Sequence, residues 1–264
     1  MIKMRNLFVL FALFSLTFAC TEKKSGDKGE AVEVEAEVEE IALPNALTKK
    51  EKADGWVMLF DGKTSEGWRG YKSEQFPAAW EVIDGTLHCK GSGRGEAGSE
   101  EGGDIVYDKI FSNFRLKMDW KISEGGNSGI FYLGQEAKDH IWETAPEMQV
   151  LDNDRHPDAL LGVDGNRMAG SLYDLIPAKP QNANPAGEWN SIEILVYKGT
   201  VVHKQNGKAV LEYHLWTPKW DKMVADSKFP ELNPDWAKVA ASGLIGVQDH
   251  GDDVWFRNIK LKEL

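Results

Sequence analysis

The chain has 264 residues, with 31 Lys and Arg against 42 Asp and Glu, a net charge of −11, 42% hydrophobic residues and two Cys. The apolar fraction excludes wholesale disorder. The acidic balance argues against a nucleic-acid partner, whose affinity comes from cationic side chains on phosphates, and two Cys build neither a disulfide scaffold nor a Cys-rich metal site.

Residues 1–19 read as a lipoprotein-type signal peptide. Lys3 and Arg5 precede an apolar run over residues 7–18, broken only by Ser15 and Thr17. A dozen residues are too few to span a bilayer and suit the core of a secretory leader. Leu16-Thr17-Phe18-Ala19-Cys20 resembles a bacterial lipoprotein cleavage site, so the expectation is acylation of Cys20 and a membrane partner through that lipid anchor. Each buried CH₂ adds about 0.8 kcal/mol, and several chains anchor stably. The expected location is the cell envelope, on the periplasmic or surface face of the outer membrane. Ordinary secretion with an incidental Cys is the alternative. Cys89 then has no partner and reads as a small buried apolar residue.

Residues 20–54 read as an acidic tether. Val and Glu alternate over residues 32–40, but a strand there would carry one face of carboxylates, and such density extends a chain. Residues 47–53 suggest a short helix at the edge of the folded domain.

Residues 55–264 read as one all-β domain. Strands are expected at 57–60, 80–83, 86–89, 104–107, 114–122, 128–133, 147–151, 189–197, 200–205, 208–213, 243–249 and 254–263. Asp84-Gly85 and Asn206-Gly207 are tight-hairpin signals. Phe114, Leu116, Met118, Trp120 and Ile122 alternate with Arg115, Lys117, Asp119 and Lys121, the period of a strand with one buried face. A dozen strands without βαβ alternation predict a two-sheet jelly-roll sandwich. Residues 217–241 read as a short helical, lid-like insertion, with Trp216, Trp220 and Trp236 as its anchors rather than as sugar platforms.

Gly93-Arg94-Gly95-Glu96-Ala97-Gly98 matches the dinucleotide glycine pattern. It lies in an acidic loop with no apolar helix after it, so it is read as a loop and no nicotinamide cofactor is expected. Asp152-Asn153-Asp154-Arg155-His156-Pro157-Asp158 faintly resembles a cation loop but lacks the Gly and closing Glu of one, which favours a turn.

Three strands carry polar groups on a face that is not the core. Gly125-Gly126-Asn127-Ser128-Gly129 enters one strand through small residues that permit close approach of a ligand. In Glu147-Met148-Gln149-Val150, burial of Met148 and Val150 turns Glu147 and Gln149 the other way. In Ile245-Gly246-Val247-Gln248-Asp249-His250, burial of Ile245 and Val247 does the same for Gln248 and His250.

At these residues, together with Gly103-Asp104-Ile105, Leu172-Tyr173-Asp174, Gly187-Glu188-Trp189-Asn190 and Val202-His203, the chain resembles the 3-keto-disaccharide hydrolase domain family from about residue 55 to its end. The resemblance implies a concanavalin A-like jelly roll, a secreted or lipid-anchored bacterial protein, and an oxidised, 3-keto saccharide or glycoside as partner. A C3 ketone acidifies the C2 hydrogen. A base removes it, the enolate expels the glycosidic oxygen from C1, and water adds back or the unsaturated sugar is released. Base and acid are each worth about 10²–10⁴-fold.

The candidates for these roles are Glu147 and His250, one as base and the other as acid, with Asp119 orienting one of them. Asn127, Gln149 and Gln248 suit sugar hydroxyls, having donors and acceptors. Trp142 and Tyr173 suit stacking on a sugar ring, and Arg257 suits the keto oxygen. No cofactor is firmly implied. A divalent cation on His250 and Glu147 is an open alternative and would take over the enolate role. Each candidate has a plainer reading: Asp119 pairing with Arg115 or Lys117, Arg257 in a structural ion pair, His203 as a packed histidine. Two other functions remain open: a non-catalytic carbohydrate-binding module of the same fold, and a direct glycosidase using Glu147 and Asp119.

Overall fold

The computed structural model describes residues 43–95 and 98–264. The leader, Cys20 and the acidic run lie outside them. Strands β1 (Val57–Met58), β2 (Trp68–Gly70), β3 (Trp80–Ile83), β4 (Thr86–Cys89), β5 (Ile105–Phe111), β6 (Phe114–Ile122), β7 (Asn127–Gly134), β8 (Glu147–Leu151), β9 (Asn190–Tyr197), β10 (Thr200–Gln205), β11 (Lys208–His214), β12 (Gly243–Val247) and β13 (Val254–Glu263) form two sheets. One runs β11-β10-β9-β6-β13-β4-β3, with β1 on β13; the other runs β2-β5-β12-β7-β8. The pairings are antiparallel. This is the expected jelly-roll sandwich.

The core lies between the sheets. β6 alternates buried and half-buried residues along its whole length. Its inward Phe114, Leu116, Met118, Trp120 and Ile122 meet Ile130, Met148, Val150, Ile245 and Val247 of the smaller sheet. Each such side chain stabilises the fold by about 1.5–3 kcal/mol. The turn residues Asp84 (φ 49°), Gly85 (73°), Asn206 (47°) and Gly207 (78°) all adopt positive φ, as two-residue hairpins require. Cys89 is buried and free.

β7 and β8 are buried on both faces. One face joins the core. The other carries a small apolar cluster of Val106, Phe131, Ile141, Ala145 and Leu244 and, beside it, polar side chains.

The packed chain begins upstream of residue 55. Helix α1 (Lys49–Ala53) starts with a Thr48–Glu51 capping box, which satisfies two otherwise orphaned backbone donors. Glu51 pairs with Lys260. Asn45 and Asn258 exchange backbone-to-side-chain bonds of 2.7 and 2.8 Å. Residues 45–54, read as tether, are therefore pinned to β13.

The insertion forms α2 (Pro218–Ala225) and α3 (Phe229–Leu232). Trp220 is buried, stacks on Tyr213 (5.4 Å) and Trp236 (5.8 Å), and donates to the Ala237 carbonyl at 2.8 Å. Trp236 stacks on Phe229 (4.0 Å) and donates to the Trp142 carbonyl at 2.9 Å. Trp216 donates to the Val239 carbonyl at 2.7 Å. These indoles fasten the insertion, and none lines the cavity described next. His203 is also internal. Its Nδ1 donates to the Gly170 carbonyl (3.1 Å) and its Nε2 accepts from Tyr132 (2.7 Å). Burial pushes its pKa down to about 4, so it is a neutral packing residue.

Candidate active site

A cavity of about 540 Å³ opens on the non-core face of the five-stranded sheet, beneath the insertion. β7 supplies Asn127, β8 supplies Glu147 and Gln149, and the segment leaving β12 supplies Gln248, Asp249 and His250. Trp142, Tyr173, Lys228 and Phe229 also line it, and Gly103 and Asp104 do so at the entry to β5. Strand alternation put these groups off the core. The neighbouring order of β12, β7 and β8 brings them together.

Glu147 is 8% exposed. Its carboxyl lies over Gly129 of the neighbouring strand, where a Cβ would stand 2.0 Å from Oε1. Burial, helped by the nearby Asp104 carboxyl, pushes its pKa up to about 8, so Glu147 is a protonated acid at neutral pH. Burial also pushes Asp104 up to about 7, against a hydrogen bond from the Asp249 amide. Asp249 behaves oppositely. Burial alone would raise it, but the Gly103, Ser99 and Gly251 amides and the Ser99 hydroxyl donate to it at 2.8–3.1 Å. These donors hold its carboxyl below the ordinary value. It ties the loop at 99–103 to the end of β12. Gly102 makes this possible, since a Cβ there would fall 2.1 Å from Asp249 Oδ2.

His250 Nε2 faces the Asn127 amide nitrogen at 3.3 Å. That nitrogen is a donor, which makes Nε2 the acceptor and leaves the ring proton on Nδ1. Nδ1 is buried without a hydrogen-bond partner and faces Asp252 Oδ2 at 3.8 Å, a carboxylate fixed by the Asn127 backbone amide at 3.0 Å. The lone pair of His250 therefore meets the side-chain amide of Asn127, which also lines the cavity.

Two amides are unfinished. Gln149 Oε1 accepts from the Val150 amide (3.2 Å), while its Nε2 has no partner. Asn127 Oδ1 has none either. Both residues are buried and line the cavity. A buried polar group left unpaired costs about 1–3 kcal/mol, and a ligand hydroxyl, which both donates and accepts, would satisfy such a donor and acceptor. Trp142 stacks on His140 at 5.0 Å, and the Tyr173 hydroxyl accepts from Lys228 Nζ at 3.2 Å.

Two candidates do not join this group. Asp119 and Arg257 face away from the core on β6 and β13 of the other sheet. Asp119 accepts from Arg257 Nε (3.3 Å) and Asn258 Nδ2 (2.6 Å), and Arg257 lies 3.9 Å over the Trp189 ring. Asp119 borders a separate hollow there. The alternation that directs a side chain off the core is the same in both sheets, and here it led to the wrong one. Asp104 and Lys228 line the cavity and were missed; the Gly-Gly pair before Asp104 was the available signal.

No group of three or more with metal-ligand spacing among the described residues includes Glu147. Among the described residues the group with metal-ligand spacing is His156, His250 and Asp252, within 4.8 Å of one another. His156 Nδ1 accepts the Asp158 amide at 3.1 Å, which puts the ring proton on Nε2 and removes that nitrogen from ligand duty. The trio does not fit a three-ligand cation site in this tautomer.

The family described as 3-keto-alpha-glucoside-1,2-lyase-like domain matches residues 55–262. A Bacteroides thetaiotaomicron protein named 3-keto-disaccharide hydrolase is 52% identical over 247 residues, covering 87% of this chain and 83% of that protein. Two provisionally named glycosyl hydrolases from Parabacteroides distasonis share the fold. One has a TM-score of 0.74 at 32% identity, covering 84% of this chain and 100% of that one. The other has a TM-score of 0.60 at 26% identity, covering 79% and 99%. By the extent of the family match and the similarity to the Bacteroides relative, the chain belongs to the 3-keto-alpha-glucoside-1,2-lyase-like domain family.

Proposed function

We propose that this enzyme cleaves glycosidic bonds of 3-keto-glycosides by elimination. The observation that carries the reading is the pairing, in one cavity, of a carboxylic acid kept protonated by burial (Glu147) with a histidine whose acceptor nitrogen meets the cavity residue Asn127 (His250). The name of the 52% identical relative supports it.

The Asn127 amide turns from His250 Nε2 to a sugar hydroxyl, and the freed Nε2 takes the C2 proton. The C–H electron pair forms the C2–C3 double bond, and the carbonyl pair moves onto the C3 oxygen. That pair returns, the double bond shifts to C1–C2, the C1–O bond breaks, and Glu147 protonates the departing oxygen. Water then adds to C1 for net hydrolysis, or the unsaturated ketone leaves. No electrons are gained or lost overall, so the ketone is installed by a separate oxidation. Asn127, Gln149 and Gln248 take sugar hydroxyls, Trp142 and Tyr173 flank the ring, and the Asp252 carboxylate faces the His250 Nδ1 proton at 3.8 Å. Acid and base at their stations are each worth about 10²–10⁴-fold.

The test is release of nitrophenol from a 4-nitrophenyl 3-keto-glucoside. Absence of release, with and without added divalent metal, refutes the reading. The proximity of Asp104 to Glu147 favours one other reading, direct hydrolysis by two carboxyls with Asp104 in the place first given to Asp119. Retaining pairs stand about 5–5.5 Å apart, and such an enzyme would cut the unoxidised glucoside at a comparable rate. Binding without cleavage of either substrate would indicate a carbohydrate-binding module. We further propose acylation of Cys20 and a cell-envelope location. Cys20→Ser should abolish labelling by a fatty-acid probe and move the protein to the soluble fraction, and unchanged labelling would refute this.

A further inference from the structure

The elimination places negative charge on the C3 oxygen, yet Glu147, Asp104 and Asp249 make the cavity rich in carboxyls, and Arg257 is on the other sheet. Among the described lining residues, the one Lys or Arg is Lys228, at the start of α3. Its Nζ donates to the Tyr173 hydroxyl (3.2 Å), sits 4.4 Å from the centre of that ring and lies 3.6 Å from Asp174 Oδ2. Its neighbours are cross-linked. Arg167 donates to Asp174 Oδ1 (2.6 Å) and to Asp158 Oδ1 (2.8 Å), and its guanidinium stands 5.6 Å from the centre of the Tyr173 ring. Lys228, Tyr173, Arg167 and Asp174 thus close a ring, with Asp158 held on Arg167.

An ammonium has three donors. Tyr173 takes one, Asp174 stands beyond hydrogen-bond length, and the side chain keeps 36% of its surface open. The positive charge also acts on Glu147, opposing the rise of its pKa.

We propose that Lys228 is the electrophilic catalytic residue of this site, its ammonium receiving the C3 oxygen as that oxygen becomes an enolate. The inference rests on the elimination reading above. Lys228 keeps its proton throughout. As His250 removes the C2 proton, the carbonyl electron pair moves onto oxygen against Nζ; as the pair returns, C1–O breaks and Glu147 supplies the proton. A fixed donor aimed at developing charge is worth about 10²–10³ in kcat. The insertion then does more than cover the cavity, because it delivers the charge that enolisation needs.

The experiment uses the full chain and the variants Lys228→Met, Lys228→Gln and Lys228→Arg. One substrate is the 4-nitrophenyl 3-keto-glucoside. The other is 3-keto-1,5-anhydroglucitol in D₂O, which has no glycosidic oxygen on C1 to expel, so deuterium entry at C2 reads enolisation apart from glycosidic cleavage. Calorimetric binding of the unoxidised glucoside reports an intact pocket. The expectation for Met and Gln is a loss of about 10²–10³ in both kcat and exchange. KM and glucoside binding stay within a few-fold, and Arg restores part of the rate. One folded neutral variant is enough. Exchange at the wild-type rate in a neutral variant overturns the proposal, as does a parallel loss of affinity for ketone and unoxidised sugar, which would make Lys228 a wall. If the wild type shows no exchange and no release, the elimination reading itself is overturned.

Discussion

Replacing Glu147 with Gln should stabilise the protein while disabling it. The carboxyl has an ordinary pKa of 4.5 and burial carries it to about 8. Between those values the folded protein holds a proton that the unfolded chain releases. Stability from this residue is full below pH 4.5 and is lost as pH rises through about 8, since stability falls with pH wherever the folded state binds more protons. At about 1.4 kcal/mol per pH unit, that rise costs the fold up to about 5 kcal/mol above pH 8 and about 3 kcal/mol at pH 7. Gln has nearly the same shape and does not titrate. The Gln variant should gain about 1 kcal/mol at pH 5, about 3 at pH 7 and about 5 at pH 9, with nitrophenol release reduced at least about 10²-fold. Urea unfolding followed by tryptophan fluorescence at the three pH values measures the gain, with the slope unchanged. A gain that does not grow with pH, or a variant less stable at every pH, would refute the burial argument and the acid role with it.

The wild-type rate itself should fall as pH rises through about 8, where Glu147 loses its proton, in a kcat profile on the 3-keto substrate; a rate still climbing at pH 9 contradicts this. Gly129→Ala puts a Cβ where the Glu147 carboxyl lies, 2.0 Å from Oε1. The carboxyl must shift by about 1 Å or more, and kcat should drop by up to about 10²-fold, with circular dichroism unchanged. Asp119→Ala and Arg257→Ala should leave kcat and KM as they are, because both residues sit on the other sheet; their ion pair at 3.3 Å is 21% (Asp119) and 30% (Arg257) exposed, and each variant should lose about 1–2 kcal/mol in urea unfolding.

The sandwich was legible because a sheet buries one face. β6, with five apolar residues at alternate positions, admits little other reading, and the Asp-Gly and Asn-Gly pairs fix the hairpins on either side of their turns. β2 escaped because Trp68-Arg69-Gly70 is too short to show a period. The short helix at the domain edge was expected over 47–53, but the pinning of Asn45 escaped for another reason. The Asn45–Asn258 exchange joins residues 213 apart in sequence, and a polar contact at that distance leaves no local pattern.

The site was legible to the extent that alternation and sheet order act together. Alternation places Glu147, Gln149, Gln248 and His250 off the core, and it places Asp119 and Arg257 off the core equally well. What separates the two sets is which sheet each strand joins, a matter of loop closure and long-range packing. The smaller sheet differs in one respect that chemistry can read afterwards. β6 and β13 alternate buried residues with half-buried, charged ones that reach water and pair with one another. β7 and β8 are buried on both faces, yet Asn127, Glu147 and Gln149 are polar and two of them hold unpaired atoms. Polar residues in a strand with no wet face are costly unless something arrives to meet them. Lys228 lay beyond reach of this logic. It stands in a segment without strand periodicity, and Trp220, Trp236 and Phe229 carry it to the cavity by aromatic stacking that only the folded chain assembles.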